Sequence, residues 1–237
     1  MENLQNKVAY ITGGSQGIGL GTAAALLEQG MKVAISGRTS SKLEEAEKTL
    51  NAGDNLLILT SDVRKMEDET KAVAEILDKW GRLDVLIANA GIGHYGNIED
   101  LTAEQWNQTI DTNLTGVFHS VKASVDAVKK TKGYIITVAS LAGINFFPGG
   151  TAYNASKFGL VGFSQALMQD LRAYDVKVTT ILPGSVATHF NHNIPGEKDA
   201  WKIQPEDMGQ IVTDLLRMHP RTLPSKIEVR PSKPPAK

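Results

Sequence analysis

Three side chains in this sequence have types and spacing that could move a proton. Tyr153 and Lys157 stand four residues apart at the start of a run rich in small and apolar residues. On a helix that spacing puts phenol and ammonium on one face, one turn apart. A free phenol gives up its proton at about pH 10, and a nearby cation favours the tyrosinate. Ser140 lies thirteen residues before Tyr153 and brings a hydroxyl able to donate to an oxygen that gains charge. Taken alone, Tyr-x-x-x-Lys also describes an ordinary solvated helix face, so the elements that carry these residues matter.

Those elements alternate. Short β-rich apolar runs occur at Val8–Thr12, Lys32–Ser36, Leu56–Thr60, Asp84–Ala88, Tyr134–Val138, Lys177–Leu182 and Lys226–Val229. Between them lie stretches of helical spacing, such as the stripe Leu20, Ala23, Ala24, Leu27 and the stripe Val73, Ile76, Leu77. Gly30 sits where a helix would end, just before the run at Lys32. Strands alternating with helices predict βαβ units and a doubly wound, mostly parallel α/β sheet of seven strands with helices on both faces. Ser140 falls just past the end of its strand, at the edge where open α/β sheets bind ligands. One domain over residues 1–237 is expected.

The first strand runs into Gly13-Gly14-Ser15-Gln16-Gly17-Ile18-Gly19, and an amphipathic pattern follows at once. In that context glycines let the backbone approach a pyrophosphate, and a helix N-terminus offers it unpaired N–H groups. A plain glycine-rich turn would look the same, but the spacing, G-x-x-x-G-x-G from Gly13, differs from G-x-G-x-x-G.

Composition excludes several classes. Lys and Arg total 25 against 26 Asp and Glu, for a net charge of −1. That balance gives no field suited to nucleic acid or an anionic membrane surface. Without cysteine, disulfides, thiolate metal sites and a cysteine nucleophile are excluded. His189 and His192 form an i, i+3 pair without an acidic partner at ligand spacing, so no metal is expected. No apolar run approaches 18 residues and the N-terminus has no leader-like apolar segment, so a cytoplasmic protein is expected.

Thr12-Gly13-x-x-x-Gly17-x-Gly19 resembles the glycine motif of the short-chain dehydrogenase/reductase family, in its compact single-domain branch. The likeness extends through Asn89-Ala90-Gly91, with Ala88 where the family has a first Asn, through Asp111-Thr112-Asn113-Leu114-x-Gly116, the Ser140–Tyr153–Lys157 set, and Pro183-Gly184 with Thr188. It therefore runs from Thr12 to Thr188. It implies hydride transfer between a nicotinamide cofactor and a carbonyl or alcohol substrate. Tyr153 would be the general acid in reduction and the general base in oxidation. Lys157 would lower the phenol's pKa and bond the nicotinamide ribose, and Ser140 would bond the carbonyl oxygen. Asn113, in a locally distorted helix, would hold a water linking Lys157 to solvent.

The resemblance also implies a cofactor site. Gly13, Ser15, Gln16, Gly17, Ile18 and Gly19 would form the phosphate loop, and Asn89, Ala90 and Gly91 would line the cofactor. Pro183, Gly184, Val186 and Thr188 would pass under the nicotinamide. Asp62 with Val63 would meet the adenine, although an Asp capping the next helix reads as well. Ser36-Gly37-Arg38-Thr39 ends the second strand with no carboxylate at Gly37, where NAD-specific relatives usually carry Asp. Ser36, Arg38 and Thr39 could hold a 2′-phosphate, so NADP(H) is expected over NAD(H). Arg38 as a solvated cation is the plainer alternative.

His94, Tyr95, Asn145, Phe146, Phe147, Phe190 and Trp201 cluster after strands and suggest a substrate pocket. Residues 188–204 would be a short substrate lid with Pro195 and Gly196 as hinge points, and 230–237 a surface tail. The helical stretches 103–131 and 152–173 occupy positions that build dimer interfaces in the family, so a homodimer or homotetramer is expected. A 3-oxoacyl-carrier-protein reductase is the leading alternative function. A cofactor sensor without turnover is the rival from another class, and the intact Ser-Tyr-Lys set speaks against it.

Overall fold

A computed structural model describes residues 3–233, apart from the side chain of His192; positions 234–237 of the expected tail lie outside it. The strands are β1 (Val8–Thr12), β2 (Lys32–Gly37), β3 (Leu56–Thr60), β4 (Val85–Ala88), β5 (Tyr134–Val138), β6 (Lys177–Pro183) and β7 (Lys226–Val229). All pair in parallel, in the order β3-β2-β1-β4-β5-β6-β7. The helices are α1 (Gly17–Glu28), α2 (Ser40–Leu50), α3 (Met66–Trp80), α4 (Ala103–Ile110), α5 (Gly116–Thr131), α6 (Thr151–Leu171) and α7 (Pro205–Arg217). The order reverses beside β1, which opens a crevice at the C-terminal ends of the strands.

The period-two geometry of the strands divides the core. Ala9, Ile11, Val33, Ile35, Val85 and Ile87 face α1 and α7, whose Ala23, Leu26, Met208 and Val212 are buried against them. Leu26 takes a central place in that stripe, whereas Ala24 stays half-buried. Val8, Tyr10, Ala34, Leu86 and Ile135 face the other way, onto Val73 and Ile76 of α3, Val117 and Val121 of α5, and Leu160 of α6. Strands covered on both faces read as nearly continuous apolar runs.

Several boundaries differ from expectation: β2 and β6 each run one residue further, to Gly37 and Pro183. The strand expected from Asp84 starts at Val85, because at Asp84 the buried carboxylate, not a backbone carbonyl, takes the Val8 amide and the regular ladder begins one residue later. The carboxylate accepts from the Val8 amide at 2.9 Å and from Arg82 Nε at 2.7 Å. The helical stretch 103–131 is divided by a π turn at Asp111–Thr115, which is the local distortion expected around Asn113. α6 covers Thr151–Leu171, two residues short of the expected end, where a 3₁₀ turn takes over.

Candidate active site

One cavity of about 1120 Å³ lies along the C-terminal edge of the sheet. Its floor begins at the glycine loop. Gly13 and Gly17 sit at φ +65° and +55°, a region that other residues enter only with strain. Gln16 precedes α1 in extended conformation and no side chain caps the helix. The first amides of α1 therefore keep their capacity to bind an anion. Asn89 holds the loop in place. Its amide donates to the carbonyls of Thr12 (2.9 Å) and Gly13 (3.1 Å), while the Thr12 hydroxyl accepts from the backbone of Asn89 and Ala90.

Of the residues singled out above for cofactor and chemistry, Gly13, Ser15, Gln16, Gly17, Ile18, Ser36, Arg38, Thr39, Asp62, Val63, Asn89, Ala90, Gly91, Ser140, Tyr153, Lys157, Pro183, Gly184, Val186 and Thr188 line this cavity. Gly19 and Asn113 stand behind its wall. A Cβ on Gly19 would lie 2.4 Å from the Gly13 carbonyl, so that glycine serves loop packing. Asn113 is fully buried in the π turn. Its amide donates to the Ile92 carbonyl (2.9 Å) and to Ser156 Oγ (3.0 Å), and its Oδ1 accepts from the Ile92 amide (2.8 Å). Both amide N–H groups are thus committed to protein.

Tyr153 and Lys157 project from the first turns of α6 and are both buried. Lys157 Nζ donates to the Val138 carbonyl at 3.1 Å. Burial lowers its pKa from the ordinary 10.5 to about 8. An ammonium has three donors, so further partners can be taken from the cavity side. The Tyr153 phenol is pushed well above its usual range, first by burial and then by Tyr95, while Ser140 pulls it back. Among the chain's own groups desolvation wins; the expected lowering draws on the positive charge of the oxidised nicotinamide as well as on Lys157. Ser140 Oγ accepts from the Ala142 amide (3.1 Å) and reaches the Pro183 carbonyl at 3.5 Å. The backbone of Gly143 packs tightly on α6, where a Cβ would lie 2.7 Å from the Lys157 carbonyl. Asn154, which spacing did not single out, donates to the carbonyls of Ala142 (2.7 Å) and Asn145 (2.8 Å). It thereby fixes the loop after Ser140 against the helix that carries Tyr153.

Aromatic rings surround the phenol. Tyr95 stands edge-on to Tyr153 at 5.4 Å and to Phe147 at 5.9 Å, and Phe190 lies 5.8 Å from Tyr153. Asn145 and Trp201 also line the cavity. Phe146 and His94 do not: Phe146 is 85% exposed, and His94 meets Gln108 at 3.2 Å. Adjacent residues 146 and 147 cannot both face inward on an extended loop.

At the other end, Asp62 is held by Arg64, whose Nε lies 2.9 and 3.0 Å from its two oxygens. That guanidinium keeps the carboxyl below its ordinary range. Asp62 is not the cap of α3, which begins after Lys65. Lys42 of α2 joins Arg38 on the cavity wall. At the β7 end, Arg230, Pro231 and Lys233 line the cavity as well; Arg230, Ser232 and Lys233 are exposed, so the described part of the expected surface tail runs along the cavity's rim.

The family model for short chain dehydrogenases matches residues 7–199. The chain belongs to the short-chain dehydrogenase/reductase family. It is an oxidoreductase of that family's NAD(P)-dependent kind, acting on CH–OH and C=O groups. It is 37% identical to a trans-4-hydroxycyclohexanecarboxylate dehydrogenase from Sinomonas cyclohexanicum, over 79% of this chain and 75% of that one. It is 36% identical to a 3-oxoacyl-[acyl-carrier-protein] reductase from Synechocystis, over 83% of this chain and 81% of that one. Among solved structures, an alcohol dehydrogenase from the archaeon Thermococcus sibiricus, complexed with 5-hydroxy-NADP, superposes with a TM-score of 0.90 at 28% identity, covering 98% of this short-chain dehydrogenase/reductase and all of that chain. No helix among the described residues is long and apolar enough to cross a membrane.

Proposed function

We propose that this dehydrogenase/reductase interconverts a ketone or aldehyde and its alcohol with NADP(H) in preference to NAD(H). The observation that carries this reading is the buried pair on α6: a lysine with one protein hydrogen bond, one turn from a buried phenol, beside Ser140. When bound, the cofactor supplies or accepts the hydride. Ser140 holds the carbonyl oxygen, and Tyr153 gives it a proton in reduction and takes one in oxidation. Lys157 offers its remaining donors to ribose hydroxyls, and its charge opposes the desolvation that keeps the phenol protonated. The amides of the glycine loop and α1 bind pyrophosphate. Asn113 acts as a positioning residue that ties the loop after β4 to α6.

Support for NADP(H) is local. Arg38 and Lys42 face the cavity beside Gly37, where no carboxylate repels a 2′-phosphate. Asp62 remains the proposed neighbour of the adenine, with Arg64 fixing its orientation. Residues 188–204 form the proposed lid; its base is pinned by the Val186–Ile203 bridge. We also propose a cytoplasmic homodimer or homotetramer, for which the exposed aromatics Trp106, Phe118 and Phe158 on α4, α5 and α6 speak.

A second reading, reduction of a 3-oxoacyl carrier-protein thioester, draws on the 36% identity to the Synechocystis enzyme. The test is kcat/KM for a panel of ketones, aldehydes and a 3-oxoacyl thioester with NADPH and with NADH. Faster turnover of simple carbonyls with NADPH is expected. Dominance of the thioester would favour the second reading, and NADH preference would remove the assignment of Arg38.

A further inference from the structure

We propose that the substrate carries a carboxylate and that Arg230 and Lys233 receive it. The proposal rests on the carbonyl chemistry above and names the class of substrate.

β7 is the outermost strand, and its register places Val229 opposite Pro183 of β6. The Gly184 amide donates to the Val229 carbonyl at 2.8 Å, so the chain leaves the sheet level with the turn after β6. Pro231 then packs inward. A Cβ on Gly184 would lie 3.3 Å from Pro231 Cδ and 3.1 Å from Leu141 Cδ1. Leu141 directly follows Ser140, so the tail forms a wall of the same chamber as the reacting hydroxyls. Arg230 and Lys233, on either side of this anchor, both line the cavity.

The charges there are unbalanced. Among the described residues that line the cavity, Asp62 is the one acid, and it lies after β3 and is bound by Arg64. Lys202 also lines the chamber but is paired with Asp199 at 2.7 Å. Arg230 has one contact, to Glu228 at 3.0 Å, with both side chains well exposed. Such a pair exchanges readily for a better-placed anion. A planar guanidinium suits the two oxygens of a carboxylate.

The cofactor does not account for these cations. Its phosphates are placed at the glycine loop after β1 and at Arg38 after β2. The tail follows β7, five strand spacings or about 24 Å from β2. The carbonyl, at Ser140 and Tyr153, falls between. The ring of Tyr95, Phe147 and Phe190 supplies an apolar side to the same chamber. A substrate with its carbonyl between an apolar group and a short acidic arm matches this arrangement.

The test uses 4-oxo-4-phenylbutanoate and its methyl ester, which share carbonyl and ring and differ in charge. The wild-type enzyme with NADPH should favour the acid in kcat/KM by about tenfold or more, the worth of a charged hydrogen bond. The ratio should fall toward one in Arg230→Ala/Lys233→Ala and recover in part in Arg230→Lys. A ratio near one in the wild type, or the same ratio in the double variant, overturns the proposal. A second readout needs no turnover: 4-phenylbutanoate should raise the Tm of the NADPH-bound protein more than 4-phenylbutanamide does, and the double variant should lose that difference. If that difference holds while neither ketone reacts, the carbonyl reading fails and the carboxylate site stands. Ester turnover without any preference for acid sinks the carboxylate site alone.

Discussion

Lys157→Met separates what the buried lysine does for chemistry from what it costs the fold. In the folded chain burial brings its pKa from 10.5 to about 8. An unfolded lysine keeps its proton to the ordinary value, so between those two values the unfolded state binds more protons and stability rises with pH. Below pH 8 both states carry the charge and the full burial penalty applies. The shift corresponds to about 3 kcal/mol, most of which is recovered between pH 7 and pH 10. Methionine has a similar length and no charge. The variant gives up the hydrogen bond to the Val138 carbonyl, at about 1 kcal/mol. At pH 7 it should therefore unfold at higher urea than the wild type, by about 1–2 kcal/mol, while losing turnover. Urea melts of both proteins at pH 7 and pH 10 make the comparison, since every other titrating group is common to the two. The wild type should close the gap and overtake the variant as pH rises. Parallel stability curves would refute the reasoning, because they would mean that Lys157 ionises alike in both states.

Tyr153→Phe keeps the ring contacts with Tyr95 and Phe190 and removes the proton; kcat/KM should fall by at least about 100-fold with NADPH affinity nearly unchanged, as a titration of cofactor fluorescence would read. Gly37→Asp should reverse the cofactor preference, measured as kcat/KM for NADPH against NADH. A Cβ there meets Ser15 Oγ at 3.6 Å and Leu43 Cδ2 at 3.7 Å, so the side chain fits without strain. Arg38→Ala should weaken NADPH binding by about tenfold, since the side chain is exposed and its phosphate pair stays wet. Asp84→Ala leaves the Val8 amide without its buried acceptor just before β4 and should cost about 3 kcal/mol, a fall in Tm of roughly 6–12 °C by calorimetry.

Periodicity was enough to place β1 and β5 residue for residue, because a strand covered on both faces has few ways to hide its apolar run; β3 and β7, at the edges, were placed as well by alternation and by the turns that bound them. The glycine loop was legible for a similar reason: positive φ at Gly13 and Gly17 leaves a mark in residue type. What spacing could not show was the balance of fields. Tyr153 and Lys157 are visibly one turn apart, yet whether burial or charge governs the phenol depends on Tyr95 and Phe190, which arrive from distant loops. Asp62 with Val63 reads as an adenine contact or a cap, and only the start of α3 after Lys65 removes the cap. Arg230 and Lys233 look like surface charge beside prolines; only the pairing of β7 with β6 carries them to the cavity.

The π turn at Asp111–Thr115 has a consequence for how the chain can vary in length. Such a turn holds one residue more than an α-helical turn. Each residue of a helix advances about 100° around its axis. Removing one residue from this turn would restore an unbroken helix from Ala103 to Thr131, a gain in local regularity. It would also rotate α5 by that angle relative to α4. Val117, Val121 and Val128 would swing off the sheet, or else Asn113 would swing away from Ile92 and Ser156. The extra residue is a phase shifter between two faces with different obligations, one to the core and one to the loop after β4. Insertions and deletions are therefore expected to be tolerated in the exposed stretch before α4 and rejected in the middle of what looks, by composition, like one continuous helix.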